Sequence, residues 1–147
     1  MHLRRVMILR IKILSLLISI LLVFQLGSSK AQHIDAQKVA NYIYASGVLH
    51  PEIVLRQSIY ETGWFKSKHT IQKNNIFGFR HTKHYMKFDS WQACVDYYVN
   101  WQKRKYTNTK EDYYKFLVRI RYAQSEVYIQ QLKKVKLSSL SLPKNEK

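Results

Sequence analysis

The sequence is poor in cysteine, proline and glycine, with one, two and four of them among its 147 residues. The single cysteine, Cys94, excludes an intrachain disulfide and every metal or redox motif that is built from paired cysteines. Acidic residues are also few, because nine Asp and Glu stand against 25 Lys and Arg. The fold must therefore be stabilised by packing, and the chain carries a formal charge of +16.

The first 31 residues have the layout of a secretory signal peptide. Basic residues at positions 4, 5, 10 and 12 precede an apolar stretch from Ile13 to Leu26, and small residues follow at Ser29 and Ala31. The apolar stretch falls short of the roughly 20 residues that span a bilayer comfortably, which disfavours a retained membrane anchor. We therefore expect an exported protein that is cleaved after Ala31.

The mature chain is expected to be one basic domain. Removing residues 1–31 of the 147 leaves 116, enough for a single core and too few for two. The removed segment holds five basic residues and no acidic one, so the formal charge falls from +16 to +11. Such a charge attracts nucleic acids, anionic membranes and anionic polymers alike. Because the basic residues are scattered rather than aligned on one face, a nucleic-acid or membrane-surface binder ranks last.

Helical periodicity predicts a mainly α domain with about five helices and one irregular segment. The helix starts are marked by capping or first-turn residues, namely Asp35, Pro51, Ser90, a Thr109–Asp112 capping box and Ser125. From Trp64 to Phe88 the helical period is lost, and a loop with a short hairpin is expected. Residues 32–136 are assigned to this domain and residues 137–147 to a polar tail.

Glu61 is the first candidate for chemistry. It lies in the last turn of the second predicted helix, seven residues after the apolar Val54 and before the stop at Gly63. Seven residues are nearly two turns, so the carboxyl group points close to the buried stripe. Partial desolvation there would raise its pKa above about 4.3 and allow it to act as a general acid. The alternative is a solvated surface glutamate, which is common near a helix end.

Four short motifs, taken in order, resemble the glucosaminidase family of peptidoglycan hydrolases. They are Glu61-Thr62-Gly63, Asn74-Asn75-Ile76-Phe77-Gly78, Phe88-Asp89-Ser90-Trp91 and the segment Tyr122 to Tyr128. The resemblance covers about residues 35 to 135. It implies an α-rich, lysozyme-like fold in which the hairpin segment forms one wall of a cleft. It also implies cleavage of the β-1,4 bond after N-acetylglucosamine in peptidoglycan, and a place in the periplasm, in the cell envelope or outside the cell.

The resemblance also assigns roles residue by residue. Glu61 matches the catalytic acid, and Tyr122 matches a tyrosine near the scissile sugar. The loop that lines the cleft is matched by Asn75, Phe77 and Gly78. Two further aromatic residues, Trp64 and Tyr85, are placed for sugar contact, because most other aromatic residues recur at core spacing.

One departure from the family concerns the second carboxylate. Many members carry a second glutamate on a longer hairpin, but the segment from Gly78 to Phe88 is basic and holds no carboxylate. The nearest candidate is Asp89, which at a helix start is more often structural. The two-carboxylate scheme therefore does not transfer directly. Attack by the substrate's 2-acetamido group, attack by a water held by Tyr122, a lytic transglycosylase-like reaction and a non-catalytic peptidoglycan-binding module all stay open.

Other ligands are expected to be limited. His81 and His84 are three residues apart, but their segment is irregular and offers no third ligand, so no metal and no cofactor are expected. Two basic clusters, at 103–105 and at 133, 134 and 136, are read as solvated helix faces that also attract anionic envelope polymers. The protein is expected to be a monomer that acts on glycan strands.

Overall fold

A computed structural model of the protein describes residues 33–122 and 126–143. The predicted signal peptide, residues 1–31, and the predicted cap Ser125 lie outside these ranges. The described elements are α1 (Ala36–Ala45), α2 (Pro51–Thr62), α3 (Lys68–Lys73), β1 (Arg80–His81), β2 (His84–Tyr85), α4 (Trp91–Lys105), α5 (Tyr113–Arg119) and α6 (Glu126–Lys134). The mainly helical fold class is therefore confirmed. None of the described helices has the length and apolar character to cross a membrane.

Helix α1 begins at the predicted cap, and helix α2 begins and ends where the sequence predicts. The Asp35 side chain accepts hydrogen bonds from the backbone N–H groups of Gln37 and Lys38 at 2.8 and 3.2 Å, as an N-cap does. Pro51 occupies the first turn of α2, where its missing N–H costs nothing. Gly63 ends α2 in the left-handed conformation, at φ +55°. This stop leaves Glu61 in the last turn of the helix.

Helix α5 begins at a different residue from the one predicted. The Asp112 side chain accepts a hydrogen bond from the Lys115 backbone N–H at 3.0 Å and is the N-cap itself. The prediction of a capping box from Thr109 is wrong, because the residues before Asp112 form a turn. In that turn the Glu111 N–H donates to the Asn108 carbonyl at 3.1 Å, and the buried Tyr106 donates its hydroxyl hydrogen to the Glu111 carbonyl.

The irregular segment contains one helix that periodicity did not reveal. Helix α3 has six residues and only Thr70 is buried, so its apolar pattern is too short to detect. The prediction of loop structure is therefore wrong over Lys68–Lys73. The predicted hairpin is confirmed, with Arg80 opposite Tyr85 and His81 opposite His84 in an antiparallel pair.

The core is formed mainly by side chains of α1, α2, α4 and α5, with contributions from the loop after α3. Its fully buried members include Val39, Ile43, Leu55, Ile59, Phe77, Tyr98, Phe116 and Leu132. A chain of buried hydrogen bonds crosses this core. Gln102 donates to the Tyr113 hydroxyl at 2.8 Å, the hydroxyls of Tyr113 and Tyr98 are 2.7 Å apart, and Tyr98 donates to Gln57 at 2.6 Å. This series of hydrogen bonds connects α2, α4 and α5.

The segment after α6 contacts the domain. Leu137 is buried, and Leu140 and Leu142 pack against the core. The side chain of Gln37 on α1 makes two hydrogen bonds to the backbone of Ser141, at 2.9 Å to its carbonyl and 2.8 Å from its N–H. Residues 137–142, predicted as part of a polar tail, therefore contact the core and, at Ser141, helix α1.

Candidate active site

A cavity of about 580 Å³ opens beside the C-terminal end of α2. Seven of its lining residues are aromatic, which is typical of a small-molecule or sugar site with a few polar groups. The lining residues are Tyr60, Glu61, Phe77, Gly78, Phe79, Arg80, Tyr85, Trp101, Arg121, Tyr122 and Tyr128. Within the described part of the chain, Glu61 is the one carboxylate among them.

Glu61 is half-buried, and its carboxyl group is held by one tyrosine. The Tyr128 hydroxyl donates a hydrogen bond to Glu61 Oε1 at 2.8 Å. Burial raises the pKa of Glu61, whereas the hydrogen bond from Tyr128 and the positive charge of Arg80 lower it, and the net pKa is above the ordinary value. A carboxyl group with a raised pKa retains its proton closer to neutral pH, as a general acid requires.

Gly78 lets the loop pass directly against this carboxyl group. Its φ is +67°, a conformation that residues with a Cβ rarely adopt. A Cβ built there would lie 3.1 Å from Glu61 Oε2. Both the backbone conformation and the close approach therefore favour glycine at this position.

Tyr122 lies on the cavity wall and holds the same loop. Its hydroxyl donates a hydrogen bond to the Phe77 carbonyl at 2.6 Å. Burial, with the negative charges that Tyr128 and Glu61 would carry, raises the pKa of Tyr122 well above 10. The side chain therefore remains a neutral phenol at physiological pH.

Asn75 holds the backbone of the loop that lines the cavity. Its side-chain amide donates to the carbonyls of Phe79 and Met86 at 2.8 and 2.9 Å, and its Oδ1 accepts from the Phe79 N–H at 2.9 Å. The residue is buried and lines a smaller cavity of about 120 Å³, which shares Glu61, Gly78 and Tyr85 with the first. Asn75 thus fixes the path of the loop into the hairpin.

Two residues predicted for the site lie elsewhere. Trp64 is exposed, in the turn after α2, and lines neither cavity. Asp89 is exposed too, and its backbone carbonyl accepts a hydrogen bond from the Asn74 side chain at 3.1 Å just before α4. The structure brings together Glu61, Tyr122, Tyr85 and the loop residues Asn75, Phe77 and Gly78, and it leaves Trp64 and Asp89 outside.

Sequence reasoning missed several residues of the cavity wall. Tyr128 recurs at core spacing in α6, so its spacing predicted burial and gave no sign that its hydroxyl reaches Glu61. Trp101 lies three residues after the buried Tyr98, which also indicates a core position. Arg80 and Arg121 belong to segments whose helical or strand pattern is too short to give a direction. The proximity of these residues to Glu61 is a long-range property that local spacing does not report.

No group of three metal-ligating side chains occurs among the residues that the structure describes. His81 and His84 face each other across the exposed hairpin, without a third ligand from that part of the chain. Among the described residues, the charged side chains that line the cavity are one carboxyl group and two guanidinium groups, and aromatic rings surround them.

Comparison with known proteins gives one match. The family model described as Glucosaminidase, mannosyl-glycoprotein endo-beta-N-acetylglucosaminidase, matches residues 36–138. Neither the curated proteins nor the solved structures contain a match to the chain. The matched range includes every residue that lines the cavity.

Proposed function

The chain belongs to the glucosaminidase family, and from this premise we propose that it hydrolyses the β-1,4 bond after N-acetylglucosamine in peptidoglycan, with Glu61 as the general acid. The family makes the chain a glycoside hydrolase with a glycan substrate and associates it with the cell wall. The bond, the acid and the roles of single residues are our proposal. The observation that carries it is the half-buried Glu61, with its raised pKa, on the wall of an aromatic cavity.

In the proposed reaction the proton of Glu61 passes to the glycosidic oxygen as the bond from that oxygen to the anomeric carbon breaks. The neutral carboxyl group needed for this step is favoured by burial. The aromatic rings around it offer faces on which sugar rings stack. Tyr128 orients the carboxyl group through its hydrogen bond to Oε1, which leaves Oε2 on the side of Gly78.

The group that attacks the anomeric carbon is proposed to be the substrate's own 2-acetamido oxygen. Glycosidases that use two carboxylates place the second about 5 to 10 Å from the first. Among the described residues that line the cavity there is no second carboxylate. Tyr122 is unsuited to act as a base, because its pKa is well above 10. The resulting ring is an oxazolinium ion that keeps the N–H of the acetamido group. Water then attacks its anomeric carbon, the bond from that carbon to the acetamido oxygen breaks, and one proton of the water passes to the Glu61 carboxylate.

A lytic transglycosylase-like reaction is the second candidate, and the same single carboxylate favours it. Such a reaction needs one acid and ends in a 1,6-anhydro sugar rather than a reducing end. A non-catalytic peptidoglycan-binding module is the third candidate, because the aromatic cavity could bind sugar rings without turnover. The products distinguish all three.

Two further proposals concern the surroundings of the enzyme. We propose that the protein is exported, on the layout of residues 1–31. The exposed cluster Lys103, Arg104 and Lys105 at the end of α4 is proposed to attract anionic envelope polymers. Binding to isolated cell walls should then weaken between low and high salt, and unchanged binding would contradict an electrostatic role.

The test is mass spectrometry of the soluble products released from peptidoglycan. We expect fragments that end in reducing N-acetylglucosamine, and we expect Glu61→Gln to lower their rate of release by about 10² to 10⁴. The matched control is Glu126→Gln, because Glu126 is exposed and lies outside both cavities. Full turnover by Glu61→Gln would show that the acid is wrongly assigned. Anhydro-muramyl ends would identify a transglycosylase, and wall binding without products would identify the non-catalytic module.

A further inference from the structure

Two arginines line the cavity that holds Glu61. Arg80 comes from the hairpin and Arg121 from the turn after α5. In the described part of the chain, neither forms an ion pair with a carboxylate. Two cations and one carboxyl group therefore share the cavity, and its net charge is positive whether or not Glu61 is ionised.

Arg80 is held in place by Tyr85. Its guanidinium carbon lies 4.1 Å from the centroid of the Tyr85 ring, and one of its nitrogens donates a hydrogen bond to the Tyr85 hydroxyl. Stacking and one hydrogen bond use only part of the donor capacity of a guanidinium group. Among the residues that the structure describes, no other hydrogen-bond partner of Arg80 is found, so its remaining N–H groups can bind a ligand in the cavity.

Arg121 occupies a backbone position that favours glycine. Its φ is +56°, and the turn has the hydrogen bonds of a helix C-terminal motif, from Arg121 N to the Val118 carbonyl at 3.0 Å and from Tyr122 N to the Leu117 carbonyl at 3.1 Å. Glycine adopts this conformation without strain, whereas arginine does not. From this position the Arg121 side chain lines the cavity.

We infer that Arg80 and Arg121 form a subsite for a carboxylate carried by the glycan. Guanidinium groups bind carboxylates through paired, charge-assisted hydrogen bonds. The inference rests on the proposed function, because peptidoglycan supplies such groups whereas a neutral N-acetylglucosamine polymer does not. The carboxylate has two sources: the lactyl group of a muramyl residue without a peptide, and the peptide stem itself. The two arginines thus select a charged glycan over a neutral one of the same linkage.

The test compares kcat/KM on two glycan oligosaccharides of equal length. One carries free lactyl carboxylates, and in the other these carboxylates are converted to methyl amides. We expect the wild-type protein to favour the charged oligosaccharide by about tenfold or more. Arg121→Gly and Arg80→Gln should each bring this ratio towards one. The ratio cancels any change in the pKa of Glu61, because both oligosaccharides are cleaved by the same acid.

Controls separate this inference from effects on folding. Arg121→Gly relieves the backbone strain, so its unfolding temperature should be equal to or above that of the wild type. Lys115→Gln removes an exposed charge on α5, away from the cavity, and should leave the ratio unchanged. A wild-type ratio near one without any preference for intact peptide stems, or a preference that neither arginine variant changes, would overturn the inference.

A third substrate identifies the source of the carboxylate. If an oligosaccharide with intact peptide stems is preferred, and Arg121→Gly loses that preference, the stem supplies the group. If the peptide-free oligosaccharide is preferred, the lactyl carboxylate supplies it. Calorimetric titration of Glu61→Gln with the same oligosaccharides gives the selectivity in binding alone. Selective binding without turnover by the wild type would therefore contradict the proposed function and leave the subsite intact.

Discussion

At the scale of single residues, the balance of three effects on Glu61 determines its proton affinity. Burial favours the neutral form, and the Tyr128 hydrogen bond and Arg80 favour the ionised form. The sequence places Glu61 correctly at the end of an amphipathic helix. It assigns Tyr128 to the core on helical spacing. That spacing is the same for a tyrosine whose hydroxyl donates a hydrogen bond to a carboxylate. The partner that tunes the acid was therefore not predictable from spacing.

We expect Tyr128→Phe to move the alkaline limb of the kcat/KM profile to higher pH. The hydrogen bond stabilises the carboxylate, so its loss raises the pKa of Glu61 further. A general acid must be protonated, and a higher pKa keeps it protonated to higher pH. Tyr60→Phe is the matched control, since Tyr60 also lines the cavity and contacts the Tyr128 ring edge-on. A limb that stays in place or moves to lower pH in Tyr128→Phe would contradict this account.

At the scale of elements, the buried polar chain keeps α2, α4 and α5 in register. Because Tyr98 gives its hydrogen to Gln57, Tyr113 must donate to Tyr98, and Gln102 donates to Tyr113. The sequence predicts the helices and the burial of Tyr98 from the apolar period. It does not predict the chain of hydrogen bonds. The buried stripe predicted for α2 from its apolar spacing includes Ser58 and Thr62 but leaves out Gln57, which is also fully buried.

We expect Tyr98→Phe to lower the free energy of unfolding by about 1 to 3 kcal/mol, because it leaves buried groups of Gln57 and Tyr113 without their partner. Chemical denaturation followed by circular dichroism measures this difference. Tyr97→Phe, at a partly buried ring that packs on Phe79 and Phe88, should stay within about 0.5 kcal/mol of the wild type. Equal effects of the two substitutions on the free energy of unfolding would show that the buried hydrogen bonds of Tyr98 add no stability of their own.

At the scale of the whole molecule, the segment after α6 returns to α1. Leu137 is 8 % exposed, and Gln37 pairs with Ser141 across 104 residues of sequence. The sequence predicts a polar tail at residues 137–147, since three leucines separated by serines and followed by Pro143 give no sustained helical or strand period. The contact forms because the packing of the helices between α1 and the C-terminal segment brings these two parts of the chain together.

Leu137→Ala should therefore lower the free energy of unfolding by about 2 to 4 kcal/mol, through lost burial and the cavity that remains. The comparison is Leu49→Ala, since Leu49 is 44 % exposed and the same change there removes little buried surface. Denaturant midpoints for the two variants provide the measurement. If the denaturant midpoint of Leu137→Ala is as close to the wild-type value as that of Leu49→Ala, the C-terminal segment adds no stability.

The sequence by itself determined the mainly helical fold, most helix starts, the hairpin and the position of Glu61 before Gly63. Caps, glycine stops and apolar periods are local, and each is encoded within a few residues. Only the tertiary structure decided that Tyr128, Arg80 and Arg121 line the same cavity as Glu61, and that Trp64 and Asp89 lie outside it. Local patterns say which side of an element faces the core. Which elements then adjoin at the edge of that core depends on packing between residues far apart in the chain.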